Sequence, residues 1–583
     1  MVMRWRVRLS WQQCALAAPC ALLAVLVVLS NGHDWDHFLT GFEVDLRSWL
    51  IDRTPPRWSY QLCGGVTRSG DPQAFGLSPL FVFALLFGSF WGVKALVLAA
   101  VVAGYFFHKQ LLLLLARRLW PAPSDASVFE LVAAALSLLF VTSNYFIWHL
   151  HVGQVTFALH YLALGLCYLA AKALLEGLRW RDGLLGAVLL WAYASAGWYV
   201  SLFFFVLPLS LCALAIGIGY GVWLAARDRA ALGVLLRRSG QLLALIAGGL
   251  ALGAYKWLPL LEYQLRVPRS FDGAVPERGS VLVALAMQFV PLYGDRPPGW
   301  AMSTAADGSR WSYGVWECSS FSLLAWGAVA AAVLLGWRAL RRPRVAVALP
   351  DPHRRWWMAF LLLYLTIVLL FMLGESFALA PHALLNRLLG GSVRAIGRYG
   401  VGLTFACSLL GLYLGRLLCE QRPRLLVGAL WLGVALCGVN LGLHLGNASV
   451  ADFLRIQRLP QQPLARMRLL VQTFPYDGRS YMYPAVLKGA AVLNCYDPLA
   501  RPKLMALELG TLDPLRQHAV PLLAGDLKAL DRRCVEGSHF TQSTLHLDPA
   551  CPAGTCVNLN ALDDDAAQRL RWNLEQQRWC LAP

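Results

Sequence analysis

Apolar residues over most of this chain run in long unbroken stretches, punctuated by charged and turn residues. A bilayer core of about 30 Å takes ~20 mostly apolar residues per helix, and about eleven stretches meet that requirement. They are 11–30, 89–116, 128–148, 153–175, 183–199, 201–225, 241–261, 319–337, 356–373, 399–418 and 425–445. The pattern predicts an α-helical polytopic membrane protein. Three connections, 31–78, 262–318 and 375–398, are much longer than a turn, and a tail begins near 447. The tail is less apolar, with strand-like stretches at 480–487 and 490–495. A small mixed α/β domain over 447–583 is therefore expected after a membrane domain over 1–446, and no 20–50-residue repeat stands out.

Composition agrees with this reading. Of 583 residues 58% are hydrophobic and 14% charged, against roughly 45–50% and ~25% in soluble domains. The net charge of +18 would suggest nucleic acid if the basic residues formed one stripe. Instead they recur in clusters between apolar runs. Counted from a cytoplasmic N-terminus, Arg4, Arg6 and Arg8, then Arg117 and Arg118, Arg179 and Arg181, Arg227 to Arg238, Arg338 to Arg355 and Arg416 to Arg424 all fall on one side. The positive-inside rule then places the N-terminus in the cytoplasm and the C-terminus outside. Nucleic acid is not an expected partner; membrane lipid is.

In this topology Cys63, Cys318, Cys495, Cys534, Cys551, Cys556 and Cys580 face an oxidising compartment, where disulfides persist. The segment CPAGTC places Cys551 and Cys556 close enough for a small disulfide loop, and its spacing without nearby His argues against zinc. No cofactor is certain: a divalent metal stays open, but no ligand set in the sequence supports it.

Long outer loops are where a membrane enzyme acting outside the cytoplasm would keep its chemistry. The first begins His33-Asp34-Trp35-Asp36-His37 and continues through Glu43 and Asp45 to Trp58. Carboxylates directly beyond a first span suit a general base at the membrane surface. The plainer alternative is that Asp34 or Asp36 caps a short interfacial helix over 36–51. Ionisable groups within or beside spans are costly, and so are functional candidates by default. Lys94, His149, His151, Lys256, Glu262, Glu375, Arg394 and Arg398 all fall near outer span ends, with Gln154 beside the histidines. Singly, each lysine also reads as an interfacial snorkeler, and the histidines as packing residues.

The order HDWDHFLTGFEVDLRSWL, PPRWSYQLCGG and GDPQAFGLSP in the first loop, carrying Asp34, Asp36, Glu43, Trp58, Asp71 and Gln73, resembles the YfhO-like bacterial membrane proteins. The later segments around His149-Leu-His151-Val-Gly-Gln154, Leu258 to Glu262 and Val393 to Tyr399 agree in kind. The resemblance implies a GT-C-like glycosyltransferase of the bacterial inner membrane. Such an enzyme takes sugar from a polyprenyl-phosphate donor and passes it to an extracytoplasmic glycan, lipid or protein acceptor. Asp36, with Asp34 as the alternative, would be the general base. Lys94, His149, His151, Gln154, Lys256, Glu262, Arg394 and Arg398 would bind the donor phosphate and substrate. A lipid-linked saccharide transporter, or a non-catalytic envelope-assembly subunit, is the competing reading.

Overall fold

The computed structural model describes residues 11–30, 33–59, 66–119, 126–266, 281–291, 320–341, 352–389, 393, 396–421 and 423–446, with short strands at 303–304, 310–311 and between 468 and 581. Helices dominate. In chain order the first seven are α1 (Trp11–Leu29), α2 (His33–Leu50), α3 (Val82–Leu119), α4 (Ala126–Val141), α5 (Asn144–Val152), α6 (Leu159–Leu175) and α7 (Trp180–Ala194). Among the described residues seven helices are long and apolar enough to cross a membrane, or eight if the bent pair α4 and α5 is one span. Helices also cover 11–29, 180–194 and 323–341, but their described apolar stretches fall short of a full span. Eleven crossings is therefore more than the described helices establish by length and composition.

Three departures from the sequence pattern have local causes. The stretch 128–148 is bent by 40° between α4 and α5. The Thr142 hydroxyl donates back to the Leu138 carbonyl at 2.7 Å, Ser143 is extended, and the Asn144 N–H leaves the helical ladder for the Phe321 carbonyl. Back-bonding Thr and Ser side chains bend helices in this way. The stretch 241–261 is replaced by the helix Arg229–Leu252, which starts a full three turns earlier than expected from its arginines. Arg238 explains the shift, since its guanidinium donates to the Leu174 and Leu175 carbonyls, capping the end of α6. The third departure is in α2, which begins at His33, so Asp34 and Asp36 are its second and fourth residues. They sit inside its first turn, and neither precedes the helix as a cap.

The chain divides into two compact units: residues 1–30, 94–254 and 273–449 in one, and 31–93, 255–272 and 450–583 in the other. In the first, α4 is buried almost all round, as expected of a helix whose sequence is apolar on every face. It packs on Gly400–Gln421 and Pro423–Gly446, while α1 packs on Pro423–Gly446. A buried imidazole ties three of these helices together. His108 on α3 lies 3.1 Å from both Ser137 Oγ on α4 and Ser408 Oγ on Gly400–Gln421, the side-chain hydrogen bonding across helices that apolar surroundings favour. The helix Arg229–Leu252, by contrast, keeps almost its whole apolar window on the protein surface.

In the second unit α2 is amphipathic and buries Trp35, Phe38, Leu39 and Phe42. Its rings meet Phe75 and Phe81 from the end of the same loop, with centroids 5.3 Å (Phe42–Phe75) and 5.5 Å (Phe42–Phe81) apart. Trp58–Ser59 and Val66–Thr67 pair as a short antiparallel ribbon. In the tail, Leu570–Asn573 and Cys556–Val557 flank Arg578–Leu581 in an antiparallel sheet, and Ala490–Ala491 pairs in parallel with Arg468–Leu469. The expected strand at 480–487 and residue Cys551 lie outside the described residues.

Candidate functional site

The first loop closes on an ion network that the order of its residues makes possible. Asp45 is on the inner face of α2, and Arg68 and Asp71 flank the tight Ser69-Gly70 bend that follows the ribbon. Arg68 Nε and Nη2 donate to the two Asp45 carboxylate oxygens at 2.7 and 2.9 Å, and Nη1 donates to Asp71 Oδ2 at 2.6 Å. This side-on fork is the arrangement in which a planar guanidinium gains most from a carboxylate. All three side chains are buried. Burial opposes the Arg68 charge, but Asp45 first and Asp71 second more than offset it, so the guanidinium pKa is raised.

Small neighbours make room for this pair. A Cβ on Gly76 would lie 2.5 Å from the Asp45 carboxylate, and one on Gly41 would lie 2.9 Å from Arg68 Nη2. The Gly76 N–H instead donates to Asp45 Oδ2, and the Gly41 carbonyl accepts from Arg68. Lys256, on the helix Ala254–Arg266, completes the cluster. Its ammonium donates to the Arg68 and Asp71 carbonyls at 2.7 and 2.8 Å. Burial pulls its pKa down to about 8, with Arg68 adding to the fall and Asp71 and Asp45 opposing it. Two carboxylates and two cations balance, which is the condition for keeping four such groups out of water.

Beside this cluster, Glu43 accepts from Arg47 at 2.9 Å and from Ser89 at 2.7 Å. Asp71 Oδ1 accepts from the Gln73 N–H at 2.8 Å, an Asx turn that presents the Gln73 side chain 3.1 Å from His37 Nε2. Glu262 is exposed on Ala254–Arg266. Trp58 opens the ribbon, opposite Thr67. The backbones of Asp34 and Asp36 are placed by α2, and their carboxylates lie outside the described residues.

The first unit gathers a different set. The short helix α5 carries both His149 and His151 in its last turn, which Gly153 ends with a φ of 103°, a conformation open to glycine at little cost. Its two histidines point to different surroundings. His151 Nδ1 is 3.5 Å from Ser30 Oγ, and the carbonyls of Ser30 and Val27 at the end of α1 accept from Lys94. Lys94 thus caps a helix C-terminus, where a cation is favoured by the dipole. His149 is fully buried, donates through Nδ1 to the Tyr145 carbonyl, and stacks on Phe157 with centroids 3.6 Å apart.

Arg398 arrives at the same place from the turn Ile396–Tyr399. Its guanidinium lies 5.4 Å from the Phe157 ring and 5.8 Å from Phe204, and it acts electrostatically on Tyr145, His149 and His160. Phe204 sits in a π-helical turn, Leu202–Val206. Pro208 has no N–H to return to the Phe204 carbonyl, so the regular ladder cannot continue there. Gln154, after Gly153, is half-buried, and its Oε1 has no hydrogen-bond partner among the described residues. Arg394 lies outside the described residues.

The expected site residues thus fall in two groups. Asp71, Gln73, Glu43 and Lys256 belong to the first-loop network, with Arg68 at its centre. His149 and Arg398 meet over Phe157, while Lys94 and His151 share Ser30. Arg68 was not among the sequence candidates, although its i, i+3 spacing to Asp71 is a salt-bridge signal. Among the described residues no three His, Cys, Asp or Glu side chains gather as a metal site.

A solved structure, ArnT from Cupriavidus metallidurans bound to undecaprenyl phosphate, matches along 87% of this chain and 88% of its own. The sequence identity is 12% and the TM-score 0.46. No protein-family model and no curated protein matches the chain.

Proposed function

We propose that this protein is a GT-C-type glycosyltransferase that moves a sugar from a polyprenyl-phosphate carrier to an extracytoplasmic acceptor. The observation that carries the reading is Arg398. It is a half-buried cation at the start of a membrane-spanning helix, over the rings of Phe157 and Phe204 and within electrostatic reach of Tyr145, His149 and His160. Holding a guanidinium in such surroundings is costly, and intramembrane charges of this kind mark substrate paths. A lipid phosphate is the anion such a cation would receive on a path for a polyprenyl-phosphate donor.

The roles divide by what each cation already does. Lys94 and Lys256 each donate to two backbone carbonyls, so they brace their units. Arg398, with Arg394 four residues before it in the sequence, is assigned to the donor phosphate, where preorganised positive charge stabilises the anion that develops as the phosphate leaves. Gln154, His149, His151 and Glu262 are assigned to donor and substrate binding. Asp36, or failing it Asp34, takes the proton of the acceptor hydroxyl; that oxygen bonds the anomeric carbon as the bond to the phosphate oxygen breaks. Membrane residues 1–446 carry the chemistry, and 447–583 form an extracytoplasmic domain.

The test is turnover by purified protein on a panel of radiolabelled polyprenyl-phosphate sugars. The reading expects sugar release from one donor class, abolished by Arg398→Ala. Binding of donor with neither release nor transfer, but with passage across a vesicle membrane, would replace it with a transporter.

A further inference from the structure

Two described residues on either side of Arg398, Val393 and Tyr399, are each hydrogen-bonded by the short helix Pro381–Leu388. His382 and Asn386 are a single turn apart on it and so share a face. At one end, Val393 N–H donates to Asn386 Oδ1 at 2.9 Å, and Asn386 Nδ2 donates to Glu375 Oε1 at 2.6 Å. A carboxylate can only accept, which fixes the amide: its NH2 faces Glu375 and its oxygen faces Val393. At the other end, the Tyr399 hydroxyl is 3.2 Å from His382 Nδ1. Burial lowers His382 to about 4, so its ring is neutral and can accept from that hydroxyl. The Tyr399 ring is wedged between Phe204 and Phe371, with centroids 4.8 and 5.0 Å away. Phe204 is also one of the two rings under the Arg398 guanidinium.

We propose that Asn386 and His382 are positioning residues for Arg398, and that Glu375 acts through Asn386 to lock the outer segment in the geometry that receives a polyprenyl phosphate. The inference rests on the reading of Arg398 as the cation of the donor phosphate. Glu375 is thereby a brace, and its charge is directed at an amide. The chemistry allows a polarity exchange. Asn386→Asp keeps an acceptor for Val393 but sets a second carboxylate against Glu375, whereas Asn386→Asp with Glu375→Gln restores one donor and one acceptor across the same contact.

The experiment measures binding of a long-chain polyprenyl phosphate to full-length protein in nanodiscs. It compares the wild type with Arg398→Ala, Asn386→Asp and the Asn386→Asp/Glu375→Gln pair, each first shown to be monodisperse. A misplacement of about an ångström costs up to roughly 10²-fold in rate where geometry is critical, and a loss of that order is taken for a misplaced phosphate-binding cation. Asn386→Asp is therefore expected to weaken binding by roughly ten- to a hundredfold, and the double variant to recover most of it. A purely structural contact would change stability and leave affinity alone. If Arg398→Ala loses binding and Asn386→Asp does not, the positioning role is wrong and the reading of Arg398 survives. If the wild type binds no polyprenyl phosphate, the reading itself falls. Should Asn386→Asp not fold, Tyr399→Phe removes only the hydroxyl held by His382 and is expected to weaken binding severalfold; unchanged affinity there overturns the proposal.

Discussion

Replacing Asp45 by Asn separates structural carboxylates from chemical ones in the first loop. Asp45 accepts from three donors, Arg68 Nε, Arg68 Nη2 and Gly76 N–H. Asn keeps the volume but offers one accepting oxygen, and its NH2 must face a donor. Arg68 is left with Asp71 as its one carboxylate in this cluster. Removing one partner of a buried pair costs about 3–5 kcal/mol, and with Asp71 still in place we expect roughly 3 kcal/mol, near the low end of that range. Arg68→Met, which strands two buried carboxylates, should cost at least as much. Because both changes strike one network, they should not add: the double variant is expected to be more stable than the sum of the singles by about 2 kcal/mol or more, within the range seen for directly coupled residues. The assay is reversible unfolding in mixed dodecyl sulfate and maltoside micelles, followed by tryptophan fluorescence. Singles that lose less than about 0.5 kcal/mol, or a cycle additive to within that margin, would refute the argument that this network holds the loop together.

Lys256 gives a pH signature. Its pKa falls from an ordinary 10.5 to about 8 in the folded protein, so between those values the unfolded chain binds more protons and stability rises with pH. Thermal midpoints taken from pH 7 to 10 should show a rise across that window that Lys256→Met lacks; identical slopes would contradict it. The clustering of arginines on one side predicts an extracytoplasmic C-terminus, so a reporter active only outside the cytoplasm should work when fused after Pro583, and its silence beside an active cytoplasmic reporter would overturn the topology. For the tail, non-reducing peptide mapping should recover Cys551 linked to Cys556; two free thiols there would remove that loop.

Much of the helical framework was legible because apolar run length is a direct consequence of bilayer thickness. What the runs could not show is where backbone hydrogen bonds are diverted. Thr142 and Ser143 look compatible with a continuous helix until the Asn144 N–H is seen to donate to Phe321. Arg237 and Arg238 read as the end of a loop, yet Arg238 is inside a helix because two carbonyls at the end of α6 accept from it. In the first loop the acidic residues stood out as candidates for chemistry, but a carboxylate's sequence position does not reveal its partner. Arg68 lies 23 residues from Asp45, and only the folded loop shows that Asp45 and Asp71 are engaged with it. Lys94 and Lys256 were conspicuous as ionisable groups, and their carbonyl partners were invisible for the same reason. His149 and Arg398, 249 positions apart in the numbering, were both expected, and their meeting over Phe157 is a product of tertiary packing.

The central claim is that Asp36 serves glycosyl transfer while its loop neighbours serve the fold. Asp36→Asn tests it most directly, because Asn keeps the size of the residue and caps helices about as well as Asp while removing the proton acceptor. Single-turnover transfer from the active polyprenyl-phosphate donor should fall by ~10²–10⁴-fold, the usual cost of losing a general base, with the unfolding midpoint unchanged. Wild-type transfer rates in both Asp36→Asn and Asp34→Asn would contradict the account.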